Sequence, residues 1–154
     1  MNPKLEVPKP LKSEHEELHS ILVGAAREEG ELGAAAKLVV NLMQQHFAKE
    51  EQFALPPIAL LPRLARGDVA ADMEGALALT DRLQAELAAL TKEHQEILMA
   101  VRQLLAAART QDKVEYAEFA EHLIRHVQME ELVLYPAAIL AGRYLRLKLG
   151  LTEG

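Results

Sequence analysis

Two segments of this sequence, HFAKEEQFALPP at residues 46–57 and HVQMEELVLYPA at residues 126–137, repeat each other at a distance of 80 positions. Each begins with a histidine that is followed by a glutamate four positions later: His46 with Glu50, and His126 with Glu130. On an α-helix this spacing stacks both side chains on one face. The same face carries the apolar residues of each segment, so both pairs are expected to point into the core.

A second repeat precedes these two segments. LKSEHEELHSIL at residues 11–22 parallels LTKEHQEILMAV at residues 90–101, and His15 matches His94 at an offset of 79 positions. The two kinds of segment alternate along the chain. The sequence therefore predicts two copies of a helical hairpin, packed about a pseudo-twofold axis.

Apolar residues recur at helical spacing almost throughout, and no stretch alternates as a β-strand does. The pattern predicts helices at about residues 11–29, 32–55, 69–109 and 112–134, with the last one continuing past Pro136 and Gly75 as a candidate break in the third. Short connections between amphipathic helices are typical of bundles. We therefore expect an all-α protein, an up-down-up-down four-helix bundle.

Each predicted helix has one face that combines apolar residues with histidine or glutamate. The expected inward positions are Leu11, His15, Leu18 and Leu22; Val39, Leu42 or Met43, His46, Glu50 and Phe53; Leu83, Leu87, Leu90, His94, Ile97, Val101 and Leu105; and Phe119, Leu123, His126, Glu130 and Val133. Six polar groups thus converge on the interior from four helices. Buried carboxylates need compensation, and no lysine or arginine occupies these faces at that level.

Two divalent metal ions would satisfy the whole set of four histidines and two glutamates. Because two carboxylates bring two negative charges against four positive ones, a bridging oxo or hydroxo group or an exogenous ligand is expected as well. Nitrogen and oxygen ligands without thiolate suit iron or manganese, although imidazole also accepts zinc. The neighbouring Glu51 and Glu131 are rotated by about 100° from the glutamates before them. We expect these two to be solvated or to support the ligands.

The composition narrows the other possibilities. The chain of 154 residues fits one domain, has no cysteine, and carries a net charge of −6 with acids and bases mixed. These features argue against thiol chemistry, a nucleic-acid surface and an anionic membrane surface. The N-terminus lacks the apolar core of a signal peptide, and no apolar run is long enough to span a bilayer, so a cytoplasmic location is expected. We divide the chain into a lead-in at 1–10, the bundle at 11–141 and an extension at 142–154.

These motifs resemble the haemerythrin family, and more specifically its bacterial haemerythrin-like (HHE cation-binding) domains. The resemblance covers residues 11 to about 140. It implies a non-haem di-iron centre in which the glutamates bridge the irons. The implied ligands are His15 on the first helix, His46 and Glu50 on the second, His94 on the third, and His126 and Glu130 on the fourth.

One position departs from the family pattern. Oxygen-carrying haemerythrins have a second histidine four positions after the one on the third helix, and this chain has Leu98 there. Its first helix instead carries His19 four positions after His15. His19 is therefore a candidate fifth histidine ligand, with the two halves of the site exchanged. His122, one turn before His126, is expected to lie near the site without binding metal.

Other chemistries fit the sequence poorly. A ferritin-like di-iron bundle needs ExxH on two helices, and zinc hydrolases need HExxH or a similar set; neither pattern is met. Two functions stay open. One is binding of, or reaction with, O₂, peroxide or NO at the di-iron centre, with or without turnover. The other is a non-catalytic iron or oxygen sensor, or an iron-handling protein, whose metal occupancy orders the bundle. The extension at 142–154 either covers one end of the bundle or forms a homodimer contact.

Overall fold

The computed structural model describes residues 5–152, and within that range it is helical, with no β-strand. The α-helices are α1 (Lys9–Ala26), α2 (Gly30–Lys49), α3 (Leu61–Ala65), α4 (Ala76–Thr110), α5 (Val114–Met129) and α6 (Tyr135–Lys148). Two π-helical turns (Glu50–Ala54 and Glu130–Leu134) and two 3₁₀ helices (Pro56–Leu60 and Ala71–Gly75) connect them. This architecture is consistent with a four-helix bundle. The up-down-up-down order and the two repeated hairpins stay predictions.

The main hydrophobic core lies between α1, α2, α4 and α5, because each helix turns one apolar stripe toward the others. Helix α2 packs against both α1 and α4, and α4 packs against α5. Leu22, Val39, Met43, Val101 and Leu123 are among the residues at the centre of this core, and all are almost completely buried. The bundle thereby holds the inward histidines at a level directly beside the apolar core.

The predicted inward stripes are largely confirmed, but the position of Val133 was predicted wrongly. Val133 is 50% exposed, whereas Tyr135 and Ala138 are fully buried. The π-helical turn Glu130–Leu134 adds one residue to a helical turn, so Tyr135, five positions after Glu130, lies on the inward face. At the equivalent turn Glu50–Ala54, Phe53 is buried as predicted, so the exposure of Val133 is specific to the second repeat.

The third helix begins later than predicted, at Ala76 instead of about residue 69. The residues just before it form the 3₁₀ helix Ala71–Gly75, which buries Met73 in a small cluster with Leu60 and Leu64. Gly75, the candidate break, marks the point where the long helix starts.

Helix α6 continues the fourth helix beyond the bundle core and reaches into the predicted extension. Leu145 is buried in the same cluster as Leu60, whereas Leu147 is 76% exposed. The helix also packs closely on α4: a Cβ atom at Gly142 would lie 2.3 Å from the Thr80 hydroxyl oxygen. Within the described residues, no helix is long and apolar enough to cross a membrane. The domain division and the homodimer contact stay predictions.

Candidate metal centre

Both HxxxE motifs end in a π-helical turn that starts at the glutamate. The Leu55 amide donates to the Glu50 carbonyl at 2.9 Å, and the Tyr135 amide donates to the Glu130 carbonyl. Short π-helical turns inside α-helices are frequent at functional sites. Here they occur at the two repeat-related positions where a carboxylate is buried, and both glutamate side chains are completely buried.

Two pairs of buried histidines face each other across the bundle. The Nε2 atoms of His46 and His94 are 2.8 Å apart, and the rings of His15 and His126 have centroids 5.6 Å apart. Glu130 lies between the pairs. Its Oε1 atom is 3.4 Å from Nε2 of His94 and 3.5 Å from Nε2 of His126. The structure therefore forms two groups that could each hold a metal ion, and Glu130 belongs to both.

Glu50 completes the set from the second helix. Its Oε1 atom lies 3.0 Å from Nε2 of His46, and its negative charge also acts on His15 of the other pair. The structure thus brings together all six residues that the two motifs and the two single histidines predicted.

The hydrogen bonding of the cluster fits a bound cation. Among the described residues, the buried side-chain atoms without a hydrogen-bond partner are His15 Nδ1, His126 Nε2, and both carboxylate oxygens of Glu50 and of Glu130. All six atoms belong to the predicted ligands. Leaving a buried polar atom unpaired is costly, and leaving a buried carboxylate unpaired costs more. Divalent cations between the histidine pairs would remove that cost, so the residues present fit a metal centre.

A carboxylate lies nearest the Nδ1 atom of every histidine of the cluster, and three of the four are within hydrogen-bonding distance. The four pairs are His46 with Glu93 (3.0 Å), His126 with Glu14 (2.9 Å), His94 with Glu131 (2.8 Å) and His15 with Glu51 (3.7 Å). A carboxylate only accepts, so a hydrogen-bonded Nδ1 carries the hydrogen and leaves the Nε2 lone pair free. This arrangement orients histidines for metal binding.

The four pairs fall into two repeat-related sets. Glu93 directly precedes His94 and Glu14 directly precedes His15, and they contact the histidines of the HxxxE motifs. Glu51 and Glu131 each follow an HxxxE glutamate, and they contact the single histidines. Glu51 and Glu131 thus have the supporting position expected for them.

Burial and these carboxylates set the protonation of the metal-free cluster. Burial lowers the pKa of His15 and of His94, and the charge of His46 adds to the effect on His94. Burial also disfavours protonation of His46, but the nearby negative charges of Glu50 and Glu93 and the hydrogen bond to Glu93 outweigh it and raise its pKa. Glu93 has a lowered pKa despite burial, because it accepts hydrogen bonds from His46 and Lys49. The neutral form, which binds metal ions, is therefore favoured for His15 and His94.

Two aromatic residues of the site were missed from the sequence. The Tyr135 side chain is completely buried, and its hydroxyl oxygen lies 3.3 Å from Nε2 of both His46 and His94. Burial and the charge of Glu50 strongly raise the pKa of this hydroxyl, which is therefore protonated. Phe47 stacks on His15 with ring centroids 4.0 Å apart.

His19 and His122 lie outside the cluster. Both are exposed, and neither belongs to the two groups that could hold a metal. His122 Nε2 is 3.7 Å from Glu14, which in turn contacts His126, so His122 is near the site as expected. The position of His19 does not support the proposed fifth ligand, because its side chain is on the solvent side of α1.

The described helices and this cluster define a class of protein: a helical domain with a buried histidine–carboxylate site for metal cations. The sequence model of the Hemerythrin HHE cation binding domain matches residues 9–138. The chain therefore belongs to the haemerythrin family of HHE cation-binding domains. Searches of curated proteins and of solved structures gave no significant match.

Proposed function

We propose that this domain holds two iron ions and that it binds or reacts with O₂, peroxide or NO there. The observation that carries the proposal is the position of Glu130, whose carboxylate lies between the two histidine pairs. A carboxylate in that position can serve two ions at once. Membership of a cation-binding family supports the same conclusion.

In this proposal each histidine pair holds one ion, His15 with His126 and His46 with His94, and Glu50 and Glu130 bridge them. Imidazole and carboxylate ligands suit iron, and they would also accept manganese or zinc. The two carboxylates balance only part of the charge of two divalent ions, so an oxo or hydroxo bridge would complete the centre. When bound, iron would supply open coordination positions for small ligands.

The repeat-related carboxylate pairs also support the proposed topology. If two hairpins are related by a pseudo-twofold axis, every contact within a hairpin or between the two hairpins should have a repeat-related counterpart. The contact of Glu93 with His46 has its counterpart in Glu14 with His126, and the contact of Glu131 with His94 has its counterpart in Glu51 with His15. These pairs favour an up-down-up-down bundle built from two hairpins.

Anaerobic reduction of iron-loaded protein, followed by exposure to O₂, peroxide or NO, tests the function. We expect ultraviolet–visible absorption of an oxo-bridged ferric centre that disappears on reduction and changes with at least one of these ligands. Iron-loaded protein whose spectrum responds to none of the three would contradict the proposal.

The unpaired polar atoms favour one further candidate, a non-catalytic iron or oxygen sensor or an iron-handling protein. Because six buried polar atoms lack partners without metal, occupancy is expected to stabilise the bundle and order it. A large metal-dependent rise in thermal stability together with no reaction with small ligands would favour this candidate over the first.

A further inference from the structure

The two histidine pairs have different surroundings despite their repeat relationship. Tyr135 places a hydroxyl against His46 and His94, whereas its counterpart 80 positions earlier is the apolar Leu55. On the other side, His15 stacks against Phe47, which has no hydrogen-bond donor in its side chain. The two repeats therefore differ at this position, and a polar side chain lies beside only one of the two proposed metal positions, the one between His46 and His94.

The geometry points to Tyr135 as the residue that selects where a small ligand binds: its hydroxyl donates a hydrogen bond to a ligand held at the His46–His94 position. This inference rests on the proposed function, because it requires metal between those two histidines. Tyr135 would then determine ligand specificity, and the small ligand would bind at the metal position between His46 and His94.

The hydrogen-bond partners available to Tyr135 support this assignment. In the metal-free protein the hydroxyl can donate to Nε2 of His46 or of His94, both at 3.3 Å. Bound metal would occupy the lone pairs of both nitrogens, and the carboxylate of Glu50 would serve the metal ions as well. The hydroxyl is completely buried, so water cannot freely replace these acceptors. A ligand with an oxygen or nitrogen acceptor at this position would satisfy the donor.

The surroundings of the Tyr135 hydroxyl define the class of ligand. The hydroxyl lies 3.3 Å from both nitrogens, and the side chains of Tyr135, His46 and His94 are all buried, so only a small species would fit beside them. A protonated hydroxyl favours acceptors, and it stabilises an anion more than a neutral molecule. Small anions such as azide, and dioxygen-derived anions such as peroxide, fit this description. The Phe47 side of the site provides no equivalent stabilisation.

Titration of the iron-loaded ferric protein with azide tests the role of Tyr135. The variant is Tyr135→Phe, which keeps the ring and removes only the hydroxyl. The control is Tyr144→Phe, since Tyr144 packs beside Leu145, away from the cluster. We expect unchanged iron content in both variants. The azide dissociation constant, read from visible absorption, should rise about tenfold in Tyr135→Phe only, which corresponds to about 1.4 kcal/mol.

Three results would overturn the inference. Equal azide affinity in wild type and Tyr135→Phe would show that the hydroxyl donates no hydrogen bond to the ligand, and it would leave the proposed function intact. A phenolate-to-iron absorption band in the azide-free wild type that is lost in the variant would make Tyr135 a ligand instead of a donor. Wild-type protein that binds iron but gives no spectral response to azide, O₂, peroxide or NO would overturn the proposed function as well.

Discussion

Glu131 Oε1 lies 2.8 Å from Nδ1 of His94, on the side of the imidazole ring that faces away from the other histidines. The histidine is completely buried, whereas the glutamate side chain is 36% exposed. The carboxylate therefore connects a buried candidate ligand to the surface. It also fixes the hydrogen of His94 on Nδ1, which directs the Nε2 lone pair toward His46.

Removing this support should weaken metal binding. We expect Glu131→Ala to lower iron affinity about 10- to 100-fold, the usual effect of losing a carboxylate behind a metal-binding histidine. The iron affinity of Glu131→Gln should lie between those of Glu131→Ala and the wild type, because an amide oxygen still accepts the hydrogen bond. Competition with a chelator measures the affinities. Glu96→Ala, at an exposed position two residues after His94, is the control, and an equal loss there would contradict the role of Glu131.

Metal binding and the response to small ligands should not depend on His19. His19→Leu changes an exposed residue of α1, so we expect the metal content and the response to O₂, peroxide or NO to match the wild type. His15→Leu, at a buried position of the same helix, is the matched comparison and should lower the metal content. Loss of metal in His19→Leu would show that His19 binds a metal ion and that the centre has five histidines.

The glutamate between the histidine pairs should matter more than a single histidine. Glu130→Ala removes a negative charge and a group that serves both ions, whereas His15→Ala removes a neutral ligand of one ion. We therefore expect Glu130→Ala to retain less iron than His15→Ala, and its melting temperature to respond less to added iron. Metal analysis after identical loading compares the two variants. Iron content in Glu130→Ala equal to that of the wild type would refute a bridging role.

The histidines should affect the stability of the metal-free protein in opposite directions. Burial lowers the pKa of folded His15 below 6.5, so the unfolded state binds the extra proton and stability falls as the pH drops below 6.5. The raised pKa of His46 reverses the sign: its contribution is present below 6.5 and is lost as the pH rises above 6.5 through the folded pKa. Each effect is limited to about 1.4 kcal/mol per pH unit.

Urea denaturation of metal-free protein between about pH 5 and 8 measures these slopes. His15→Asn should flatten the loss of stability below pH 6.5, and His46→Asn should flatten the loss above it. The two variants serve as controls for each other. Identical pH profiles in the variants and the wild type would show that neither histidine has a shifted pKa in the folded protein.

The sequence predicted which side chains lie together in the interior because the underlying rule is local. A spacing of four places His46 and Glu50 on one helical face, and the repeat identifies the same face around His126. Burial of His15 and His94 followed from their apolar neighbours. His19 lies one residue beyond the buried Leu18, which is enough to turn its side chain toward solvent.

The features that were missed depend on packing between helices. Nothing in the residue pattern specifies a π-helical turn at Glu130, so the helical period was continued to Val133 instead of Tyr135. The comparison of the two repeats also gave no indication that Tyr135 lies at the site, because its counterpart Leu55 is apolar. Glu14 and Glu93 left a weaker signal: both directly precede a single histidine, but their contacts with the opposite helices require the relative positions of the helices.

The number of iron ions bound per chain distinguishes a centre of two metal ions from a site for one. In the proposed centre, His15 with His126 and His46 with His94 each hold one ion, with Glu130 between them. Protein purified without added metal is made metal-free, loaded anaerobically with ferrous iron, desalted and analysed for iron against protein concentration. We expect about two iron ions per chain, one for each histidine pair. A stoichiometry of about one ion, or none, would contradict the proposed centre.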